Sequence, residues 1–286
     1  MLHLFNPEIM TKGNLGEGFR LFTRNQEYSG TDNNDYTRNT TNNLLRVIVY
    51  TDESCQKNGS VEAVARAGAW FGPGDHRNLA LRLPHTIEQS NNAGETYAVF
   101  AVKQNIPQDA SLHIVSDLQL VIDSLTKNLK EREDNGWIGS ANKELMKCLV
   151  ANLRKRKGNV NLEKVKGYSD IEGNEGADAL ADEGVQEPTL DPSIDLETLA
   201  AFNIQGAKLA AVSQAMIYKG IIENLKTPHR RGTETHLDMT RWAVKALNDE
   251  APTDNRIWLS LKDKAMRKET WAFLWKAMHN AHKIGR

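Results

Sequence analysis

Two cysteines, Cys55 and Cys148, are all the thiol chemistry in 286 residues. That excludes a disulfide framework, and their separation matches no metal-ligand spacing, so both are expected to be free thiols in a reducing compartment. No apolar run approaches the ~20 residues that a membrane helix requires, so no membrane span is expected. The N-terminus carries Leu2, Leu4 and Phe5 and then turns polar. It lacks the basic start, long apolar centre and small-residue cleavage site of a secretory leader. The expectation is an intracellular protein, nuclear or cytoplasmic. Positive charge is also in short supply: a net charge of −1 excludes a protein that coats nucleic acid indiscriminately. Any nucleic-acid site must be local. The basic run Arg154, Lys155, Arg156 and Lys157, with Lys164 and Lys166 beyond it, reads either as a solvated helix end or as a phosphate contact.

The remaining composition, 40% hydrophobic and 26% charged, is that expected of a soluble globular chain. Residues 1–44 mix Gly, Asn, Thr and charge without sustained periodicity and read as a flexible leader. Residues 44–51 (LLRVIVYT) then form a strand, with Ile48, Tyr50 and Asp52 on one side and Val47, Val49 and Thr51 on the other. Two further strands over 65–71 and 78–83 are joined by Gly72, Pro73, Gly74 and Asp75, a connection suited to an antiparallel pair. A helix is expected over 93–104 with Asn91 or Asn92 as its cap, then a strand over 112–116, helices over 118–129 and 142–156, a strand over 160–165 and a helix over 173–183. Such an order gives an α/β fold, a mixed five-stranded sheet with helices on both faces. The domain falls at 45–186, a linker with Pro188 and Pro192 at 187–197, and a helical extension at 198–286. In that extension Trp258, Leu261, Trp271, Phe273, Leu274, Trp275 and Met278 read as helix packing. His279 and His282 are too few to hold a metal without further ligands.

Four carboxylates stand where one site needs them: Asp52 ends a strand, Glu95 opens a helix, Asp117 ends another strand and Asp178 lies in the last helix of the domain. Hydrolysing a phosphodiester requires an activated water, an in-line approach and stabilisation of the leaving oxygen, and two divalent cations about 4 Å apart supply all three. Hard cations are held by carboxylates, so several Asp and Glu must converge.

The segments YTDESCQKNG (50–59), SNNAGETYAV (90–99), IVSDLQLVIDSL (114–125) and VKGYSDIEGNEGADALADEG (165–184), together with GWIG (136–139), resemble in kind and order the motifs of type 1 ribonucleases H. The resemblance implies a ribonuclease H-like fold and an endonuclease that cuts the RNA strand of an RNA/DNA hybrid with two Mg²⁺ ions, or Mn²⁺ in their place. It implies that Asp52, Glu95, Asp117 and Asp178 are the catalytic, metal-binding carboxylates, and that Asn58, Asn91 and Asn92 read ribose 2′-hydroxyls, the group that distinguishes RNA from DNA.

Two positions depart from the family pattern. Glu53 stands where Gly is usual, and Tyr168 stands where a loop His is usual, a phenol titrating near 10 in place of a group titrating near neutrality. Glu53 is expected on the opposite face of the strand from Asp52, sparing the metal site. A slower enzyme follows. The alternatives are a weakened or inactive hybrid-binding module and a DNA nuclease on the same type of sheet. The ending ETWAFLWKAMHNAHKIGR resembles a segment of fungal non-long-terminal-repeat retroelement polyproteins, implying descent from one and an extension through which protein partners bind.

Overall fold

Pairing between the strand that carries Asp52, which runs on past it to Gln56, and the strand that leads into Asp117 organises the sheet. The computed structural model describes residues 2–8, 15–23, 45–102, 106–166, 171–184, 202–225 and 230–282. In chain order the first elements are β1 (Leu2–Leu4), α1 (Leu15–Gly18), β2 (Arg20–Leu21), β3 (Arg46–Gln56), β4 (Val64–Trp70), β5 (Leu79–Arg82), α2 (Asn91–Val102) and β6 (Ser111–Ser116). There follow α3 (Gln119–Leu125), α4 (Leu129–Asp134), α5 (Lys143–Lys155), β7 (Val160–Lys164), α6 (Glu172–Glu183), β8 (Ala207–Lys208) and α7 (Gln214–Asn224), then α8 (Arg231–Asn248), α9 (Asp254–Ser260) and α10 (Lys268–Met278).

Six strands form the main sheet in the order β1-β7-β6-β3-β4-β5. β3 and β6 are parallel, as are β6 and β7, whereas β4 with β5 and β1 with β7 are antiparallel. The five expected strands are all present in this mixed sheet, and β1 adds a sixth at its edge. Alternation along β3 is sharp: Val47, Val49 and Thr51 are 4%, 0% and 0% exposed, while Ile48 between them is 43% exposed. This period of two sends one side of the strand into a core shared with α2, α3 and α5, through Val99, Ile122, Leu125 and Leu149. α2 is buried from Ala93 to Val102, which is why its sequence shows no polar face.

The chain divides into two compact units, the first comprising 1–55 and 65–225, the second 56–64 and 226–286. These bounds cut across the division expected from composition. Leu2–Leu4, placed within the leader, pair with β7, and Phe5 is fully buried in the core. β2, also from the leader, pairs with β8, and Phe202 is buried nearby in the chain. Pieces this short carry too few residues for a periodic pattern to show. All of 24–44 and all of the 187–197 linker lie outside the described residues.

The basic run is settled by burial. Arg154 and Arg156 are 5% and 3% exposed. The Arg154 guanidinium donates to Glu133 Oε2 at 2.9 Å and to the Phe202 carbonyl at 3.2 Å, and Arg156 donates to the carbonyls of Pro107 and Ala110, both at 2.9 Å. Neither arginine is a phosphate ligand or a solvated helix end. Each satisfies carbonyls or a carboxylate that burial would otherwise leave without partners.

In the second unit, Leu237, Ile257, Leu261 and Met278 make a small core with Trp258, Trp271 and Leu274 against it. His279 stacks on Trp258, with ring centroids 5.1 Å apart, and pairs through Nδ1 with the Thr233 hydroxyl at 3.0 Å. His282 lies over Phe273 and its Nε2 meets the Phe273 carbonyl at 2.9 Å. Both histidines are thus packing groups. The 56–64 loop joins this unit through the Ser60 hydroxyl, which donates to the Ala251 carbonyl at 2.7 Å, and an ion pair between Glu62 and Lys245.

Truncating Glu133 leaves Arg154 as an unpaired buried cation, a change that typically removes about 3–5 kcal/mol. Glu133→Ala is therefore expected to lose that much in urea denaturation of the first unit. A loss below about 1 kcal/mol, the scale of an exposed pair, contradicts the assignment.

Candidate metal centre

Register alone brings the first two acids together. β3 and β6 run parallel with Thr51 opposite Ser116, so the residues that follow, Asp52 and Asp117, emerge from the same end of the sheet on neighbouring strands. α2 then crosses close to β3. At Gly94 an added Cβ would stand 2.6 Å from the Arg66 carbonyl oxygen and 2.8 Å from the Glu53 Cβ, so only a residue without a side chain permits the approach. This seats the next residue, Glu95, fully buried beneath the strand ends, where the Thr51 hydroxyl donates to Oε1 at 2.9 Å. α6 is brought against β4 in the same way, since a Cβ at Gly68 would stand 2.1 Å from the Ala177 carbonyl oxygen. The neighbouring Asp178 thereby faces the other acids.

The resulting cleft, about 320 Å³, is lined by Asp52, Glu53, Asn91, Asp117, Asn174, Glu175 and Asp178. Ligand atoms of Asp52, Glu53 and Asp117 all lie within 4.8 Å of one another. Of the residues expected at the site, Asp52, Asp117 and Asp178 line the cleft, and Glu95 lies buried behind it, close enough for its charge to act on Asp52. Asn91 is exposed on the rim. Asn92 is exposed one residue on, its carbonyl accepting from the Thr96 hydroxyl at 2.7 Å. Asn58 belongs to the second unit, and Tyr168 lies outside the described residues.

Glu53 does not spare the site. Strand alternation does direct it toward α2, as expected, but Glu95 lies on that side as well, and the flexible Glu53 side chain carries its carboxyl back to Asp52 and Asp117. The expectation failed because the site straddles β3 at the level where its pairing with β6 stops, instead of occupying one face of the strand. Asn174 and Glu175 were also missed. They precede Asp178 by four and three residues on α6, so helical spacing from one trusted acid would have found them.

Electrostatics report the crowding. Burial, then Glu95, with smaller contributions from Asp117 and Asp178, raises Asp52 to about 7 against the opposing pull of the Glu53 backbone N–H, which donates to Asp52 Oδ1 at 2.9 Å. Burial, then Glu95, Asp52 and Asp117, raises Glu53 to about 9. Glu95 is raised by its burial, against hydrogen bonds from Ser116 and Thr51 that favour its charged form. Asp178 is raised by burial and by Asp182 and Asp117. Among the described residues no lysine or arginine lines the cleft to balance these acids. The Asn174 Oδ1 atom, buried and without a hydrogen-bond partner among the described residues, is one more oxygen donor at the same place. A set made only of oxygen donors with excess negative charge fits hard divalent cations such as Mg²⁺ or Mn²⁺ and does not fit soft thiophilic metals.

Comparison with known proteins agrees with this arrangement. The RNase H family model matches residues 45–186. The chain is 35% identical over 146 residues to ribonuclease H1 of Homo sapiens, covering 49% of this chain and 50% of that protein. It is 37% identical over 145 residues to ribonuclease H of Schizosaccharomyces pombe, covering 50% and 54%. Against ribonuclease H of Clostridium botulinum it is 30% identical over 150 residues, covering 50% of this chain and 98% of the bacterial protein. The chain thus spans about half the length of the two eukaryotic relatives and nearly all of the bacterial one. Over residues 45–186, with Asp52 and Asp117 just past the last paired residues of β3 and β6, this chain belongs to the RNase H family.

Proposed function

We propose that this chain is a metal-dependent endonuclease that hydrolyses the RNA strand of RNA/DNA hybrids. The observation that carries the reading is the convergence of Asp52, Asp117 and Asp178 on one open cleft above the buried Glu95. These four would hold two Mg²⁺ ions, or Mn²⁺. When bound, such ions activate water and stabilise charge on the leaving oxygen. The chain itself contributes position and charge. The Thr51 hydroxyl fixes the Glu95 carboxylate, and the Glu53 backbone N–H orients that of Asp52. Asn91, whose amide both donates and accepts, stands on the rim where a ribose 2′-hydroxyl can be read, and Asn92 and Asn58 share that role by motif position.

A second reading, a weakened or inactive hybrid-binding module, draws support from Glu53. A fifth carboxyl held up to about 9 is protonated at neutral pH and occupies space among the ligand atoms of its neighbours. Tyr168 at the position of the family's loop His points the same way. The resemblance of the C-terminal segment supports descent from a fungal non-long-terminal-repeat retroelement, with the helices of 226–286 as a surface for protein partners. No helix among the described residues is long and apolar enough to cross a membrane. We place the protein inside the cell, in nucleus or cytoplasm, on the free thiols Cys55 and Cys148.

Incubation of labelled hybrid with the protein and Mg²⁺ is expected to release RNA fragments, and Asp117→Asn is expected to slow this by roughly 100-fold or more. Equal cleavage by both proteins removes the assignment. Glu53→Gly, which restores the residue usual in the family, is expected to raise the rate. A fall in rate instead assigns Glu53 a part in the chemistry.

Raised acids also set a pH dependence. Below their ordinary values near 4, Asp52 and Glu53 are protonated in folded and unfolded chains alike and the fold bears no penalty. As pH climbs through about 7 and then about 9, the folded protein must ionise them against their neighbours, and stability falls. Metal-free protein is therefore expected to melt at progressively lower temperature between pH 5 and pH 9, and Mg²⁺ is expected to restore most of the loss at the upper end. A melting temperature that rises over this range in EDTA contradicts the electrostatic account.

A further inference from the structure

The helix α8 is apolar on more than one side. Leu237 turns inward and is buried with Ile257, Leu261 and Met278 in the small core of the second unit. Five further apolar residues are left in solvent: Met239, Trp242 and Leu247 are 64%, 56% and 84% exposed, and Ala243 and Ala246 are exposed between them. Their spacing of three and four residues makes one continuous stripe, and at about 100° per residue Met239 and Ala246 fall about half a turn round from Leu237. Single exposed apolar side chains are ordinary, whereas a stripe along a whole helix is surface that the unit's own core does not use. Its largest member is held in place, since the Lys245 ammonium stands 5.1 Å from the Trp242 ring centroid and is tied by an ion pair to Glu62. A fixed aromatic side chain beside small residues suits the centre of a protein interface.

Charge at the two ends of α8 identifies the occupant. Arg230 and Arg231 stand exposed at its N-terminus, and Asp249 and Glu250 stand exposed just past its C-terminus. Both pairs oppose the helix's own dipole, which favours acids at the start and cations at the end. Glu234 and Lys245, further in, follow the dipole, so the reversal is confined to the outermost residues. Glu250 lies 3.7 Å from Arg256 in an exposed pair, an interaction of little strength that leaves its charge in play. A second α8 laid antiparallel answers both ends at once: its acidic end meets the basic end of the first, its basic end meets the acidic one, and the two dipoles oppose. A parallel partner sets Arg231 against Arg231 and Glu250 against Glu250. Steric fit agrees with the antiparallel choice. An alignment with Trp242 opposite Ala243 of the other copy sets Met239 opposite Ala246, so each large side chain meets a small one. Arg231 then lies about 6 Å along the axis from Glu250 of the other copy, within reach of its long side chain.

We propose that α8 is a self-association surface, through which two copies of this chain pair as antiparallel helices about a two-fold axis near Trp242 and Ala243. Each copy presents the same patch, which is the condition for a closed dimer. The 18 residues of α8 span about 27 Å, so the contact is small and the dimer weak, with a dissociation constant on the order of 10 µM. The inference names the partner for the C-terminal helices. It is independent of the nuclease reading, because it uses no residue of the acid cleft.

Sedimentation velocity of the full chain in EDTA and low salt, without nucleic acid and from about 1 to 200 µM, is expected to show a shift with concentration from the 32.0 kDa monomer towards twice that mass. Two charge reversals test the geometry. Arg230→Glu/Arg231→Glu makes both ends of α8 acidic, and Asp249→Asn/Glu250→Lys makes both ends basic. Each is expected to weaken self-association by at least about tenfold, and an equimolar mixture of the two is expected to regain it. Because each reversal accords with the helix dipole, neither is expected to lower the melting temperature, which separates lost pairing from lost folding. Ala243→Glu/Ala246→Glu is expected to abolish pairing. Tyr218→Asp/Ile222→Asp, on the exposed apolar stripe of α7 in the first unit, is expected to leave it unchanged. A chain that stays monomeric at about 200 µM overturns the proposal, as does pairing that both reversals leave intact, or pairing lost to the α7 changes and not to those on α8. Pairing lost in each reversal and not regained in the mixture overturns it as well. None of these outcomes touches hybrid cleavage, so this proposal and the nuclease reading fail separately.

Discussion

Parallel pairing of β3 with β6 sets Thr51 opposite Ser116, and everything chemical in the first unit depends on what comes next in each strand. Two carboxylates leave the sheet side by side, a third and a fourth arrive from α2 and α6, and Glu53 makes a fifth. Like charges at such separations resist assembly, and the fold overcomes that resistance with apolar burial elsewhere. The core around Val49, Ile114, Ile122 and Leu149 holds the strands and helices where the acids would not gather of their own accord. Repulsion then appears as raised acid titrations, and it is relieved by protons or by divalent cations.

The same architecture explains a division of cations across the surface. Arg154 and Arg156 serve the interior, tying α5 to Glu133 and to loop carbonyls. Lys164 and Lys166, only a few residues later, follow a strand into solvent beside the acid cleft. One sequence run thus splits between anchoring the interior and meeting solvent according to which element each residue falls on. Guanidinium suits the first task, since its planar fork satisfies several carbonyls or both carboxylate oxygens at once, and the flexible lysine stem suits the second.

Much of this was legible in the sequence, and what was not has physical causes. The strands holding Asp52 and Asp117 announce themselves by β-branched residues in period two, and α2 by its apolar run, so the acids at their ends could be named from spacing and motif. Glu53 was misread because alternation fixes the side of the strand a residue leaves from, and a side chain with three rotatable bonds can still return to the strand end. Arg154 was misread because its partner Glu133 lies 21 residues away on another helix, a distance no local pattern spans. β1 and the two-residue pair of β2 with β8 are too short for periodicity, and their pairing is decided by the edges they cover. That residues 56–64 fold with the second unit, Ser60 bonding the Ala251 carbonyl and Glu62 pairing with Lys245 of α8, is a long-range fact that composition does not encode.

Calorimetric titration of the metal-free protein with Mn²⁺ at pH 7.5, repeated in two buffers of different ionisation enthalpy, tests most directly whether the gathered carboxylates exist to hold cations. Saturable binding with release of protons from the acids held up at about 7 and about 9 is the predicted result, together with its loss in Asp52→Asn. Absence of saturable binding, or binding that survives Asp52→Asn with no protons released, would contradict the account.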